Sequence, residues 1–244
     1  VIKVSSAVQS DTAGESLKVV SYNIHRCIGT DGSYNPNRIV AILHSIKADL
    51  IGLQEVDSRL SAGTGMSQLD YLGAMLNSKI IAGPCIHEEN GHYGNALLTR
   101  LPVIDFRLID LSVRGREPRG ALDVDVNFKG RILRVIVTHL GCRGFERRDQ
   151  IRRLVSFIKN DPKRTTVIMG DFNEWTPMSR GIRTINSHFG MTAALASFPS
   201  RFPVFCLDRI WVLKAVEKPT FHIEKSTLSR IASDHLPIVA KFSI

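Results

Sequence analysis

Apolar residues along the chain recur at strand-like and helix-like spacings, and those spacings predict the elements. Leu17–Ile24 (LKVVSYNI) reads as a buried strand. Asn35-Pro36 then supplies a helix N-cap and a first-turn proline. Ile39, Ile42, Leu43 and Ile46 follow at the i, i+3, i+4, i+7 spacing of one helical face. Asp49–Leu53 is a short apolar strand and Leu69–Leu76 a second helix. In the middle of the chain Ala96–Thr99, Val103–Leu111, Ala121–Phe128 and Arg131–Leu140 read as strands, with Lys129-Gly130 as a hairpin turn between the last two. Glu146–Ile158 reads as a helix whose core stripe is Ile151, Leu154, Val155 and Ile158, with its arginines outward. Thr165–Met169, Leu207–Leu213 and Leu236–Phe242 are the remaining strands. Many of these strands follow one another directly, which implies a mixed or antiparallel α/β sandwich rather than a regular βαβ wind. No repeat or linker divides the sequence, so a flexible segment over 1–16 followed by one domain over 17–244 is expected.

Composition narrows the class. Of 244 residues, 43% are apolar and 23% charged, which is ordinary for a folded protein. No apolar run reaches the roughly 18 residues a membrane-spanning helix needs, and no amphipathic anchor is obvious. The first 16 residues lack the basic start and apolar stretch of a secretory signal. The chain begins with Val, so a removed leader stays open, and the expectation leans only slightly to a soluble, cytoplasmic protein. Cys27, Cys85, Cys142 and Cys206 form no CxxC pair, so zinc-finger and thioredoxin readings fail on spacing. Reduced thiols are expected. The net charge of +9 points to an anionic partner, and between Arg143 and Arg164 eight basic residues face three acidic ones. That run is either a solvated helix face or a phosphate-attracting rim.

The informative positions are the strand ends. Asn23 and His25 close the first strand and Gln54-Glu55 the second. His139 closes Arg131–Leu140, Asp171 and Asn173 close Thr165–Met169, and Asp234-His235 opens the last strand. A sheet framework can gather such ends at one rim. The set holds hard oxygen donors and imidazoles without paired thiolates, which suits Mg²⁺ or Mn²⁺. A hard cation beside a carboxylate and imidazoles is what phosphoryl chemistry requires. Each residue also has a plainer reading: Glu55 as a surface acid, Asn173 as a turn residue, His139 and His235 as hydrogen-bonded core histidines. Asp208, between apolar neighbours in CLDRIWV, needs a buried partner, and a histidine would serve.

Competing motifs fit less well. There is no Walker A sequence and no G-x-S-x-G elbow. HEENGH (87–92) is one residue too long for a zincin helix and contains Gly91, so it is expected to be a polar loop.

SYNIH (21–25), LQEVD (53–57), YGNALLTR (93–100), GDFN (170–173), LDRIWV (207–212) and SDHLP (233–237) together resemble the endonuclease/exonuclease/phosphatase superfamily, in order and over nearly the entire chain. The overall flavour is similar to its small bacterial metal-dependent hydrolases and, more distantly, its lipid phosphodiesterases. The resemblance implies a four-layered α/β sandwich of two packed mixed or antiparallel sheets flanked by helices, with the site where the sheets meet at one edge. It matches Glu55 to the principal metal ligand, Asn23 to the amide supporting metal and phosphate, and Asp234 to a further metal or second-sphere carboxylate. Asp171 and Asn173 match the pair that positions or deprotonates the attacking water and holds the phosphate, and the resemblance leaves either Asp171 or His235 as the base. His235 matches the catalytic histidine and Asp208 its orienting acid, while His139 resembles the second histidine of the deoxyribonuclease and sphingomyelinase branches.

Departures narrow the branch. Asn23-Ile24-His25 stands where abasic-site endonucleases carry Asn-x-Asp, and Asp57 stands where they tend to carry lysine. His92 and Tyr93 compete for the place of their tyrosine. Arg119, in REPRGAL, is either a phosphate contact or a solvated loop arginine; His25, Tyr93 and His92 are further candidates for phosphate. The reading is a Mg²⁺-dependent phosphodiesterase, with Mn²⁺ as the alternative cation, acting on nucleic acid or on a lipid or small phosphodiester, with no obligate protein partner. Its rival is a catalytically silent binding module that retains the fold.

Overall fold

The structure, a computed structural model, describes residues 15–59, 65–159, 164–176 and 178–244; up to residue 14, the flexible segment expected at the N-terminus lies outside them. The first strand, β1 (Ser16–Asn23), leads into helix α1 (Pro36–Ile46) and then strand β2 (Leu50–Asp57), which lies parallel to β1. Asn35 caps α1 by accepting the amide of Asn37. Ile39, Ile42, Leu43 and Ile46 are buried as their spacing predicts, and each such side chain contributes about 1.5–3 kcal/mol.

Helix α2 (Gln68–Met75) and strands β3 (Lys79–Glu88) and β4 (Gly91–Thr99) complete the first half. The second half runs β5 (Val103–Asp110), β6 (Gly120–Phe128), β7 (Arg131–His139), α3 (Gly144–Lys159), β8 (Thr165–Asp171), α4 (Arg180–Phe189) and β9 (Asp208–Leu213). Then β10 (Thr220–Ile223), the single turn α5 (Ser229–Ala232) and β11 (Ile238–Ser243) return to the first sheet. The sheets have strand orders β10-β11-β1-β2-β4-β3 and β5-β6-β7-β8-β9. Both are mixed: β1/β2 and β7/β8 are parallel pairs, each joined through a helix, and the other neighbours are antiparallel.

Three apolar clusters separate four layers. Leu17, Val19, Val135, Val137, Val167, Met169 and Ile210 fill the space between the sheets. Ile39, Leu43, Ile51, Leu53 and Leu72 join the first sheet to α1 and α2, and Ile136, Ile151, Leu154, Ile168 and Trp211 join the second to α3 and α4.

The structure corrects the sequence reading in several places. HEENGH is the tip of the β3–β4 hairpin, with His87 opposite His92, rather than a loop. β3 carries Gly83 and Pro84 and is tolerated as a strand because it lies at the sheet edge. β4 begins five residues before the expected apolar run, and α4, β10 and α5 were not expected because they hold few apolar residues. Lys129 and Gly130 do form the turn, both at positive φ, as a two-residue hairpin requires. On α3, Arg147 points inward and is buried, whereas Arg148, Arg152, Arg153 and Lys159, and Arg143 just before the helix, are exposed. Lys163, the remaining lysine of the basic run, lies outside the described residues.

Candidate active site

The parallel pairs place their C-terminal ends together, and the polar strand-end residues meet there. On β7, β8 and β9 the register pairs His139 with Asp171 and Asp171 with Asp208. Alternation puts all three on the face that packs against the first sheet, in line with Val137, Met169 and Ile210. Gly170 precedes Asp171 at φ +153, and a Cβ there would lie 1.8 Å from the Thr138 carbonyl oxygen, so only glycine fits.

On the first sheet Asn23 shares the inward face of Leu17 and Val19. Glu55 is reached differently. Its parity with Ile51 and Leu53 would send it toward the helices, but the β2–β4 register shifts between Leu53 and Val56, and Glu55 sits at φ +56. This bulge re-aims the carboxylate, and Asn23 Nδ2 donates to Glu55 Oε1 at 3.0 Å. Asn173 is likewise held at φ +51. Backbone strain of this kind collects at functional sites.

Asp171 is the hub. Its Oδ2 accepts from Asn23 Nδ2 at 3.1 Å, joining the two sheets, and its Oδ1 accepts the Asn173 amide at 2.9 Å. His139 Nε2 and His235 Nε2 face Oδ2 at 3.5 and 3.6 Å. Behind His235, Nδ1 donates to Asp208 Oδ2 at 2.8 Å, and Ser197 Oγ donates to the same oxygen. Burial pushes the His235 imidazole down, but the charges of Asp208 and Asp171, the Asp208 hydrogen bond and Asp234 outweigh it and raise it to about 10.

His139 has the opposite character. Burial first, then the Arg119 cation, lower it to about 3, so it is neutral. Arg119 Nη1 lies 3.3 Å from His139 Nδ1, and His139 Nε2 is the nitrogen that faces Asp171. Asn173 Nδ2 lies 3.0 Å from His139 Nε2 and donates to the Leu140 carbonyl at 2.8 Å.

The remaining expected residues divide. Arg119 is buried rather than solvated, and Tyr93 stands in the field of Glu55 and Arg119, its phenol raised chiefly by burial. His92, on the other face of β4, looks toward His87, Asp70 and Asp57 and is not part of the pocket. His25 sits at the mouth in a 3-10 turn (His25–Cys27), its Nδ1 bonded to the Ile28 carbonyl at 3.0 Å and 4.0 Å from Asp234 Oδ1. Ser233 ties Asp234 to β1 by donating to the Asn23 carbonyl at 2.7 Å. The four cysteines are unpaired.

Two features escaped the sequence reading. One is the buried pair of Arg147 with Glu174; the only signal was that Glu146, Arg147 and Gln150 continue the α3 core stripe in phase. The other is an aromatic wall. Phe198 and Phe205 pair across a short turn, Trp175 packs edge-on against both at 5.6 and 4.9 Å between ring centres, and Phe198 lies 4.8 Å from His235. Phe202, near the tip of this turn, is 78% exposed.

A hard cation fits the donors present. Glu55 and Asp234 are half-buried carboxylates, oxygen donors of the kind such a cation takes, and Asn23 orients Glu55. Asp171, Asp208 and His235 also offer ligand atoms within 4.8 Å of one another, but these atoms are already engaged with each other.

The model of the Endonuclease/Exonuclease/phosphatase family matches residues 20–235, and the chain belongs to that family. Its members are mostly phosphoester hydrolases and generally depend on divalent metal. An uncharacterized protein of Escherichia coli K12, YbhP, is 27% identical over 94% of this chain and 97% of its own length. Among solved structures, an endonuclease/exonuclease/phosphatase from Bacteroides vulgatus superposes with a TM-score of 0.76 at 21% identity, covering 94% of this chain and 99% of that one. TDP2 of D. rerio, complexed with a single-strand DNA product, superposes with a TM-score of 0.71 at 18% identity, covering 94% and 100%. Among the described residues no helix is long and apolar enough to cross a membrane.

Proposed function

We propose that the chain is a Mg²⁺-dependent phosphodiesterase, with Mn²⁺ as the alternative cation. What supports this reading is the Asn23 amide spanning Glu55 and Asp171, which joins a half-buried carboxylate to one flanked by two imidazoles. Glu55 and Asp234 would hold the cation, with Asn23 fixing Glu55; when bound, it would neutralise a non-bridging phosphate oxygen.

The protein's own groups supply the rest. Asp171 aligns a water in line with the scissile bond and takes its proton as the water oxygen bonds phosphorus. The bond from phosphorus to the ester oxygen breaks, and the His235 imidazolium, held by Asp208, gives that oxygen a proton. His139 and the Asn173 side-chain amide face the charge that builds on the phosphoryl oxygens, and Arg119 packs behind His139 at Nδ1. Asp171 and Asp208 are buried, so these charges act in a low dielectric where they count most.

The aromatic wall beside His235 suits a substrate with an apolar or aromatic substituent next to its phosphate, which both a nucleotide and a lipid ester supply. Glu55→Gln tests the reading. It should remove metal-dependent turnover of bis-p-nitrophenyl phosphate while leaving the circular dichroism spectrum and melting temperature near wild type. Retained turnover in that variant overturns it.

A further inference from the structure

The residues around Asp171 come from two loops: His139 and the Leu140 carbonyl at the exit of β7, and Asn173 at the exit of β8. The two exits are tied together by an ion pair outside the pocket. Arg147, on the buried face of the first turns of α3, donates through Nη1 to the carbonyls of Gly141 at 3.3 Å and Cys142 at 2.7 Å, directly after His139-Leu140. Its Nη2 meets Glu174 Oε2 at 3.3 Å, directly after Asn173. The two side chains are 10% and 6% exposed.

We propose that Arg147 and Glu174 are positioning residues, a clamp that holds the β7 and β8 exits at one separation and so fixes the Asn173 amide against His139 and the Leu140 carbonyl. Its kinetic consequences rest on the phosphodiesterase reading; its structural claim does not.

The surroundings are built around this pair. Gly181, in the first turn of α4, leaves room for it, since a Cβ there would lie 2.3 Å from Glu174 Oε1. The Gly141 amide donates to Gln150 Oε1 at 2.8 Å, so α3 grips the same loop a second time. Glu146, Arg147 and Gln150 take the site end of the stripe that Ile151, Leu154, Val155 and Ile158 fill farther along α3. An apolar pair would join helix to sheet at lower desolvation cost. A guanidinium, however, can hold two carbonyls and a carboxylate at once, in fixed directions.

Three variants test the clamp: Glu174→Gln, Arg147→Met and the two combined. Each single change should lower kcat on bis-p-nitrophenyl phosphate about 10²-fold, the scale of a roughly 1 Å misplacement, with KM within about threefold. The double variant should lose no more than the worse single. In Arg147→Gly, millimolar guanidinium, far below the molar range in which it denatures, should restore part of kcat, whereas a mere loss of stability would not be rescued by it.

A second readout is independent of turnover. The Asn173 side-chain amide protons should exchange slowly with water in wild type and fast in each single variant, while the Trp211 indole N–H, bonded to Asn186 Oδ1 at 3.0 Å, stays unchanged. An unchanged Asn173 amide in Glu174→Gln, or kcat losses that vanish when scaled to folded protein, overturns the clamp. If wild type cleaves no phosphodiester, only the hydrolase reading fails, and amide exchange still decides the clamp.

Discussion

Asp208→Asn probes the electrostatics of the site at its most buried charge. Asp208 is fully buried, and its Oδ2 takes the Nδ1 proton of His235 at 2.8 Å. Against the downward push of burial, the charges of Asp208 and Asp171 and the Asp208 hydrogen bond raise His235 from its usual 6.5 to about 10. Removing one contacting opposite charge typically moves a pKa by about 1–3 units, so His235 should fall to roughly 7–9, a change on the order of 1–4 kcal/mol. Because the folded pKa is the raised one, this stabilisation is complete below the unfolded value near 6.5. It fades as pH climbs from there through about 10. The stability gap between wild type and Asp208→Asn should therefore be widest in mild acid and close in alkali. Turnover should drop about 10²–10⁴-fold, since the amide neither holds the imidazole tautomer nor offsets its charge. Histidine ¹⁵N titration in metal-free buffer reads the pKa directly, and urea unfolding across pH reads the linkage. A His235 that titrates near 6.5 in wild type, or that does not move in Asp208→Asn, refutes the reasoning.

His139 is held near 3 by burial and by Arg119, so its sign is reversed: the folded protein resists charging it and loses stability as pH falls from 6.5 toward 3. His139→Gln should flatten that acid limb by up to about 1.4 kcal/mol per pH unit in urea unfolding, and identical limbs would contradict the burial argument. Trp175→Ala opens the aromatic wall and should raise KM for bis-p-nitrophenyl phosphate about 2–10-fold at nearly constant kcat. An unchanged KM would mean that the substituent docks elsewhere.

Much of this architecture is legible in the chain because it rests on local periodicity. Ile39 to Ile46 and the alternation in β6 and β7 specify elements that need no distant partner to be recognised. The polar residues at strand ends are equally visible, because a carboxylate or imidazole after an apolar run must go somewhere other than the core. What stays hidden depends on tertiary context. Nothing in LQEVD announces the bulge that turns Glu55 inward; it is defined only by pairing with β4. β3 reads poorly because its edge position tolerates Pro84, and α4 because its buried face holds little more than Gly181, Ile182 and Ile185. Arg147 looked like one more surface cation in a basic run. Its partner Glu174 is 27 positions away, and only the fold reveals that they meet.

The central claim is metal-assisted phosphodiester hydrolysis at the edge where the two sheets meet. Its most direct test is the rate of bis-p-nitrophenyl phosphate hydrolysis in EDTA, in Mg²⁺ and in Mn²⁺, for wild type and His235→Ala. The account predicts no turnover in EDTA, turnover with either cation, and a loss of about 10²–10³-fold in the variant. Equal rates in EDTA and metal, or an unimpaired His235→Ala, would contradict it.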